Sequence, residues 1–180
     1  ASGAGEQALQ VGAAQARLPR PRDAVKSGGD AACDQLPVGI EQSHINGEID
    51  ARSWHHLPLE RIAISGSIVE GPQHGIVIAG VAHAEVTANQ LGRSSMPFGL
   101  GITLNQATDT MVSDNHILQP TFGIFAMSGA RNSIRQNRID GGNLGIGIAQ
   151  EQAPSVTECR LTDLDLGGIF MLSTTQRSTI

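Results

Sequence analysis

Apolar and polar positions alternate with a period of two in short runs along this chain, and the runs recur at a fixed distance. Between residues 123 and 140, Ile124 and Ala126 alternate with Phe125 and Met127, which predicts a strand with one buried face. A polar corner follows (Ser128, Gly129, Ala130, Arg131, Asn132), Ile134 opens a second short strand, and Asn137 stands at a turn before Ile139 points back inside. The opening Gly-Ile pair recurs at Gly75, Gly101, Gly123, Gly145 and Gly168, at spacings of 26, 22, 22 and 23 residues. The second half, Val/Ile-x-x-Asn-x-Ile/Leu, recurs from Val86 to Leu91, from Val112 to Ile117 and from Ile134 to Ile139. From Val156 to Leu161 the frame holds, with Cys159 in place of the asparagine. A period of this length means one coil of a solenoid, repeated and stacked. Asparagine tolerates left-handed backbone better than most residues, so it suits the turn, and stacked asparagines can join their amides in a ladder.

Leucine-rich repeats need an L-x-x-L-x-L phrase and helical repeats a 3.6-residue apolar period; the chain has neither. The pattern predicts an all-β parallel β-helix of about 22–26 residues per coil, each strand pairing with its equivalent one coil later. It spans residues 39–180, with clear repeats over 62–180, after a non-repetitive segment at 1–38. Within that segment, residues 6–18 are rich in Ala, Gln and Leu and predict a short helix ended by Pro19, with disorder of the whole segment as the alternative. Gly39-Ile40 starts like the later Gly-Ile pairs, residues 62–69 fit the second half of the phrase with Ser67 at the turn, and residues 53–58 break the period as a loop. The next inward position after Gly168-Ile169 falls near residue 179, so the chain stops inside a coil, and a longer chain or a second subunit is expected to cover that end.

These repeats resemble the right-handed parallel β-helix repeats of pectate-lyase-like proteins and of the carbohydrate-binding and sugar-hydrolase repeat family. The resemblance covers roughly residues 62–180. It implies a secreted or periplasmic protein with a polysaccharide partner, a helix over the first coil, and trimerisation along the coil axis.

Composition agrees with a narrow aliphatic core: aromatics are 3%, tyrosine is absent, and 22 residues are glycine. A net charge of −5 with scattered acids and bases leaves no basic stripe, which argues against nucleic acid. No run reaches the roughly 18 apolar residues of a membrane span, and no basic region precedes an apolar one as in a signal peptide. Two cysteines, Cys33 and Cys159, do not make a disulfide framework and read best as free thiols.

On a β-helix, equivalent positions of successive coils lie about 4.8 Å apart and form outward columns. One column is Thr87, Ser113, Arg135, Thr157; another is Gln90, His116, Arg138, Arg160, with Asp114, Asp140, Glu158 and Asp163 nearby. Arginine forks suit the carboxylates of acidic sugars and a histidine beside them can move a proton. The candidate catalytic residues are therefore His116, Asp114 and Arg138, with Arg135, Arg160, Glu158 and Phe125 as candidate substrate-binding residues. The same charges also read as ordinary ion pairs of a polar exterior. Phe125 lies in an apolar outward column with Val77, Thr103, Gly147 and Phe170, suited to a sugar ring, a loop or another subunit. His44, His55 and His56 near Glu41, Glu48 and Asp50 do not make a converging ligand set, so no metal and no cofactor is expected.

Several mechanisms lack their residues. No tyrosine is available for a tyrosine–histidine shuttle, and the only lysine, Lys26, precedes the repeats. Polygalacturonase-like signatures, the Asp-Pro-His-Asp of mannuronan epimerases, a Gly-x-Ser-x-Gly elbow and a phosphate loop are all missing. Three functions remain: a β-helix that binds, and as an enzyme would cleave or epimerise, an acidic polysaccharide; a non-catalytic surface, spike or adhesin module, trimeric; and a periplasmic metal-handling accessory protein, which the sparse histidines disfavour.

Overall fold

The computed structural model describes residues 9–11, 38–53, 60–70, 73–92, 98–172 and 177–180. Every regular element among them is a strand, and the strands stack into three sheets, one for each side of a coil. The first sheet holds β1 (Leu9–Val11), β4 (Ile49–Arg52), β7 (His74–Ala79), β10 (Phe98–Asn105), β13 (Pro120–Met127), β16 (Leu144–Ala149) and β19 (Gly167–Leu172), in that order. The second holds β2 (Val38–Glu41), β5 (Ile62–Ser65), β8 (Glu85–Thr87), β11 (Met111–Ser113), β14 (Ser133–Arg135) and β17 (Ser155–Thr157). The third holds β3 (His44–Ile45), β6 (Ile68–Val69), β9 (Gln90–Leu91), β12 (His116–Leu118), β15 (Arg138–Asp140) and β18 (Arg160–Thr162). All neighbours pair in parallel except β1, which joins β4 antiparallel. A column of single bridges, Glu60, Ala82, Thr108, Ala130 and Gln152, adds a fourth short side.

The core is a set of aliphatic columns. Ile49, Ile76, Ile102, Ile124 and Ile146 stack from the first sheet, Ile64, Val86, Val112, Ile134 and Val156 from the second, and Val69, Leu91, Ile117 and Ile139 from the third, all buried. Each such side chain contributes about 1.5–3 kcal/mol on leaving water.

The repeated glycine has a steric cause. A Cβ on Gly123 would lie 2.6 Å from the carbonyl oxygen of Gly145 and would meet the Ile139 side chain; one on Gly101 would meet the Gly123 carbonyl and Ile117, and one on Gly145 the Gly168 carbonyl and Leu161. The glycine column lets the first sheet close against the third.

The asparagines do form a ladder. Asn89, Asn115 and Asn137 are 1–2% exposed. The Asn115 Oδ1 accepts the backbone N–H and the amide Nδ2–H of Asn89, both at 3.0 Å, and Asn137 serves Asn115 in the same way. Each amide also donates to a carbonyl one coil back: Asn89 to Ile64, Asn115 to Val86 and Asn137 to Val112, at 2.8–2.9 Å. Ser67 and Ser43 continue the ladder on one side, and the Cys159 thiol, a free cysteine, ends it on the other. Cys33 lies outside the described residues. The ladder corrects one expectation: the left-handed residue at the bend is the one before the asparagine, namely Ala88, Asp114 and Gln136, and Glu158 before Cys159, at φ 54–57°. The asparagine is inside because its amide is needed there.

Two further expectations are revised. Residues 9–11 of the predicted helix are strand β1, held by pairing with β4; the rest of that helix lies outside the described residues. Gly39-Ile40 is not a Gly-Ile pair of the first sheet, since β2 pairs with β5 and Ile40 stacks on Ile64. The true counterpart of Ile76 is Ile49, in β4. Ser67 takes its expected place, accepted by Asn89 at 3.0 Å. The loop at 53–58 is described only at Ser53, and His55 and His56 lie outside the described residues.

Candidate functional site

The third sheet places His116, Arg138 and Arg160 in register on β12, β15 and β18, one per coil. Two residues further along the same strands, Leu118, Asp140 and Thr162 form a parallel outward column. Strand alternation puts both columns on the solvent face, because Ile117, Ile139 and Leu161 between them point inward.

Asp140 is the centre of the resulting cluster. Its Oδ2 accepts from His116 Nε2 at 2.7 Å and from Arg138 Nε at 2.6 Å, and its Oδ1 accepts from Thr162 Oγ1 at 2.7 Å. Partial burial acts to raise this carboxyl, but the hydrogen bonds from Thr162, His116 and Arg138, with the Arg138 charge, outweigh it and bring Asp140 to about 2. At neutral pH it is an acceptor only, so His116 donates through Nε2 and Nδ1 carries the free lone pair when the ring is neutral. Asp140 thus orients the imidazole and cannot itself take a proton in this pH range.

The other predicted residues are spread over different faces. Asp114 and Glu158 are exposed corner residues between the second and third sheets, in left-handed conformation, and no hydrogen bond or ion pair among the described residues ties them to the cluster. Arg135 belongs to the second sheet, where its Nη2 lies 3.5 Å from the Met111 sulfur. Phe125 is on the first sheet, in register with Thr103 and Gly147. Its ring packs against Phe122 at 5.5 Å between centroids and over Gly147, where an added Cβ would lie 2.6 Å from it. So the structure unites three of the seven predicted residues, His116, Arg138 and Arg160, and adds Asp140 and Thr162. The signal for Asp140 is its place two residues after Arg138 and one coil beyond His116.

The arrangement occurs twice. His44 at the start of β3 is 2.8 Å from the Glu70 carboxylate, again one coil on and two residues past its register partner Ile68. Among the described residues no three His, Cys, Asp or Glu side chains converge as a metal site, and no helix is long and apolar enough to cross a membrane.

Repetition in register, three sheets per coil and inward amide ladders define a parallel β-solenoid of outward columns. A family model described as a right handed beta helix region matches residues 52–180, and the chain belongs to that family. No curated protein and no solved structure matches the chain.

Proposed function

We propose that the third-sheet face binds an acidic polysaccharide, with Arg138 and Arg160 as the forks that take its carboxylates and His116 beside them. One observation carries this reading: three potential cations are stacked in register on successive coils around a single carboxylate, Asp140, and Arg160 has no acidic partner among the described residues. Hydrogen-bond donors recurring at about 4.8 Å along the coil axis, two of them guanidinium forks, suit a polymer with repeated negative groups. Binding is the function so read. His116 Nδ1 is the one group here that is oriented to accept a proton, so any bond cleavage would begin there.

The test is isothermal titration of polyuronates and neutral glycans, with unsaturated-uronate absorbance followed in the same samples. Arg160→Ala is expected to weaken polyuronate binding about ten-fold, the value of one charge-assisted hydrogen bond, and to leave folding intact. Equal affinity for neutral glycans, or no effect of Arg160→Ala, would refute the reading. Absorbance that disappears in His116→Ala would add catalysis to it.

A further inference from the structure

Inside the coil, beside the column of single bridges, stands a carboxyl group that the surface site does not use. The bridges that join Ala82, Thr108, Ala130 and Gln152 also stack the residues before them, Val81, Ala107, Gly129 and Glu151. This is a core column: Val81, Ala107 and Glu151 are 0–1% exposed. The Glu151 carboxyl fills the space that Gly129 leaves, for a Cβ on Gly129 would lie 2.8 Å from Glu151 Oε1. Oε1 accepts from the Asn132 amide at 3.1 Å and from the backbone N–H of Gly129. The Asn132 amide cannot offer more, since it also donates to the Ala107 carbonyl at 2.9 Å while its Oδ1 accepts the Thr110 N–H at 3.0 Å. Oε2 is buried with no hydrogen-bond partner among the described residues.

One satisfied oxygen and one orphan suit a neutral acid and penalise a carboxylate, which would hold charge on an atom with no donor. Burial accordingly raises this carboxyl, against the opposing hydrogen bonds from Asn132 and Gly129. Among the described residues no charge compensates it. Ala107, Gly129, Asn132 and Thr110 are uncharged, the charged residues of the adjoining corner, Asp109 and Arg131, hold each other at 2.6 and 2.7 Å in an exposed pair, and Arg177, at the equivalent corner one coil on, is itself exposed.

We propose that Glu151 is a proton-operated latch: neutral, it seals the coil that carries it, and its ionisation opens that coil and the one stacked on it while earlier coils stay closed. The opening is local because each coil of a solenoid is stabilised by its immediate neighbours. The sign follows from linkage. A carboxyl raised in the closed state stabilises that state fully below the ordinary glutamate value of about 4.3, and the stabilisation is lost as pH rises through the closed-state value. Because β18 carries Arg160 and Thr162, opening would also dismantle half of the cation face, though the latch itself rests on nothing in the binding proposal.

Hydrogen exchange of the full chain, read by mass spectrometry at about pH 5 and about pH 8, tests it, with peptides from 74–118 as an internal reference that removes the intrinsic pH effect. Protection over 144–172 is expected to fall at least about ten-fold relative to the reference on going to the higher pH. Glu151→Gln, and Glu151→Leu as a second non-ionising variant, should abolish that difference. An unchanged ratio in the native chain, or the same fall in either variant, would overturn the proposal.

Discussion

Replacing Asn115 by alanine tests whether the amide ladder, rather than the aliphatic columns alone, holds successive coils in register. The substitution removes an acceptor from the backbone N–H and from the amide of Asn89, and a donor from the Val86 carbonyl; all three stay buried. The Asn137 Oδ1 loses one of its two donors but keeps the backbone N–H of residue 115. Each orphaned group costs about 1–3 kcal/mol, partly offset because alanine buries no amide of its own, so the net loss is about 3–5 kcal/mol. Against a total of about 5–15 kcal/mol for a typical domain, that is a third of the stability or more. The assay is urea denaturation of the native chain, Asn115→Ala and Asn143→Ala, the last an exposed corner residue expected to change stability by less than about 0.5 kcal/mol. Asn115→Asp sharpens the test. A carboxylate oxygen would face the Val86 carbonyl and the Asn137 Oδ1, so the acid form is favoured and its folded-state pKa is raised. That variant should be most stable below about pH 4 and weaken as pH rises, whereas the alanine variant should show no such dependence. A loss under about 1 kcal/mol for Asn115→Ala would show that the ladder is incidental to the stack.

Gly123→Ala should cost more than about 3 kcal/mol, because the new methyl would meet the Gly145 carbonyl at 2.6 Å and the Ile139 side chain, and backbone cannot step aside; Gly39→Ala, whose nearest neighbour would be 3.7 Å away, should be neutral or stabilising by up to about 1 kcal/mol, and a thermal melt of the pair separates the two. Cys159→Asn should add about 1 kcal/mol, because an amide there can donate to the Ile134 carbonyl, which the thiol reaches only at 3.8 Å, and can accept the Asn137 N–H; no rise in the urea midpoint would count against the ladder as an extendable device.

What the sequence shows and what it hides follow from where each side chain points. The aliphatic columns and the glycine column were legible because burial imposes one residue class at one spacing, so Ile102, Ile124 and Ile146 announce themselves at intervals of 22. The left-handed corners were not, because Ala88, Asp114, Gln136 and Glu158 project into solvent and nothing selects a common side chain there. Gly39-Ile40 misled for the opposite reason: a dipeptide alone does not say which sheet it joins, and only the stacking of Ile40 on Ile64 does. Glu151 lies between two glutamines in what reads as a polar corner, yet it stands 22 residues past Gly129 and 44 past Ala107, and that register alone marks it as internal.

The third-sheet face shows the same limit in the candidate site residues. The column His116, Arg138, Arg160 is a pure register fact and was readable from the repeat. The choice of acid was not, because Asp114 and Asp140 each stand two residues from a member of the column and only geometry separates them. Asp114 sits on a left-handed corner, where its side chain leaves the sheet, while Asp140 ends β15 with the outward alternation of Arg138 and so falls diagonally across from His116. The consequence is chemical. An acid at position 114 would have been a free neighbour of the histidine, available to share a proton, whereas Asp140 is saturated by three donors and held ionised to about pH 2. It fixes His116 and Arg138 in place, so the geometry of this face is set by Asp140 and not by the acid at the corner.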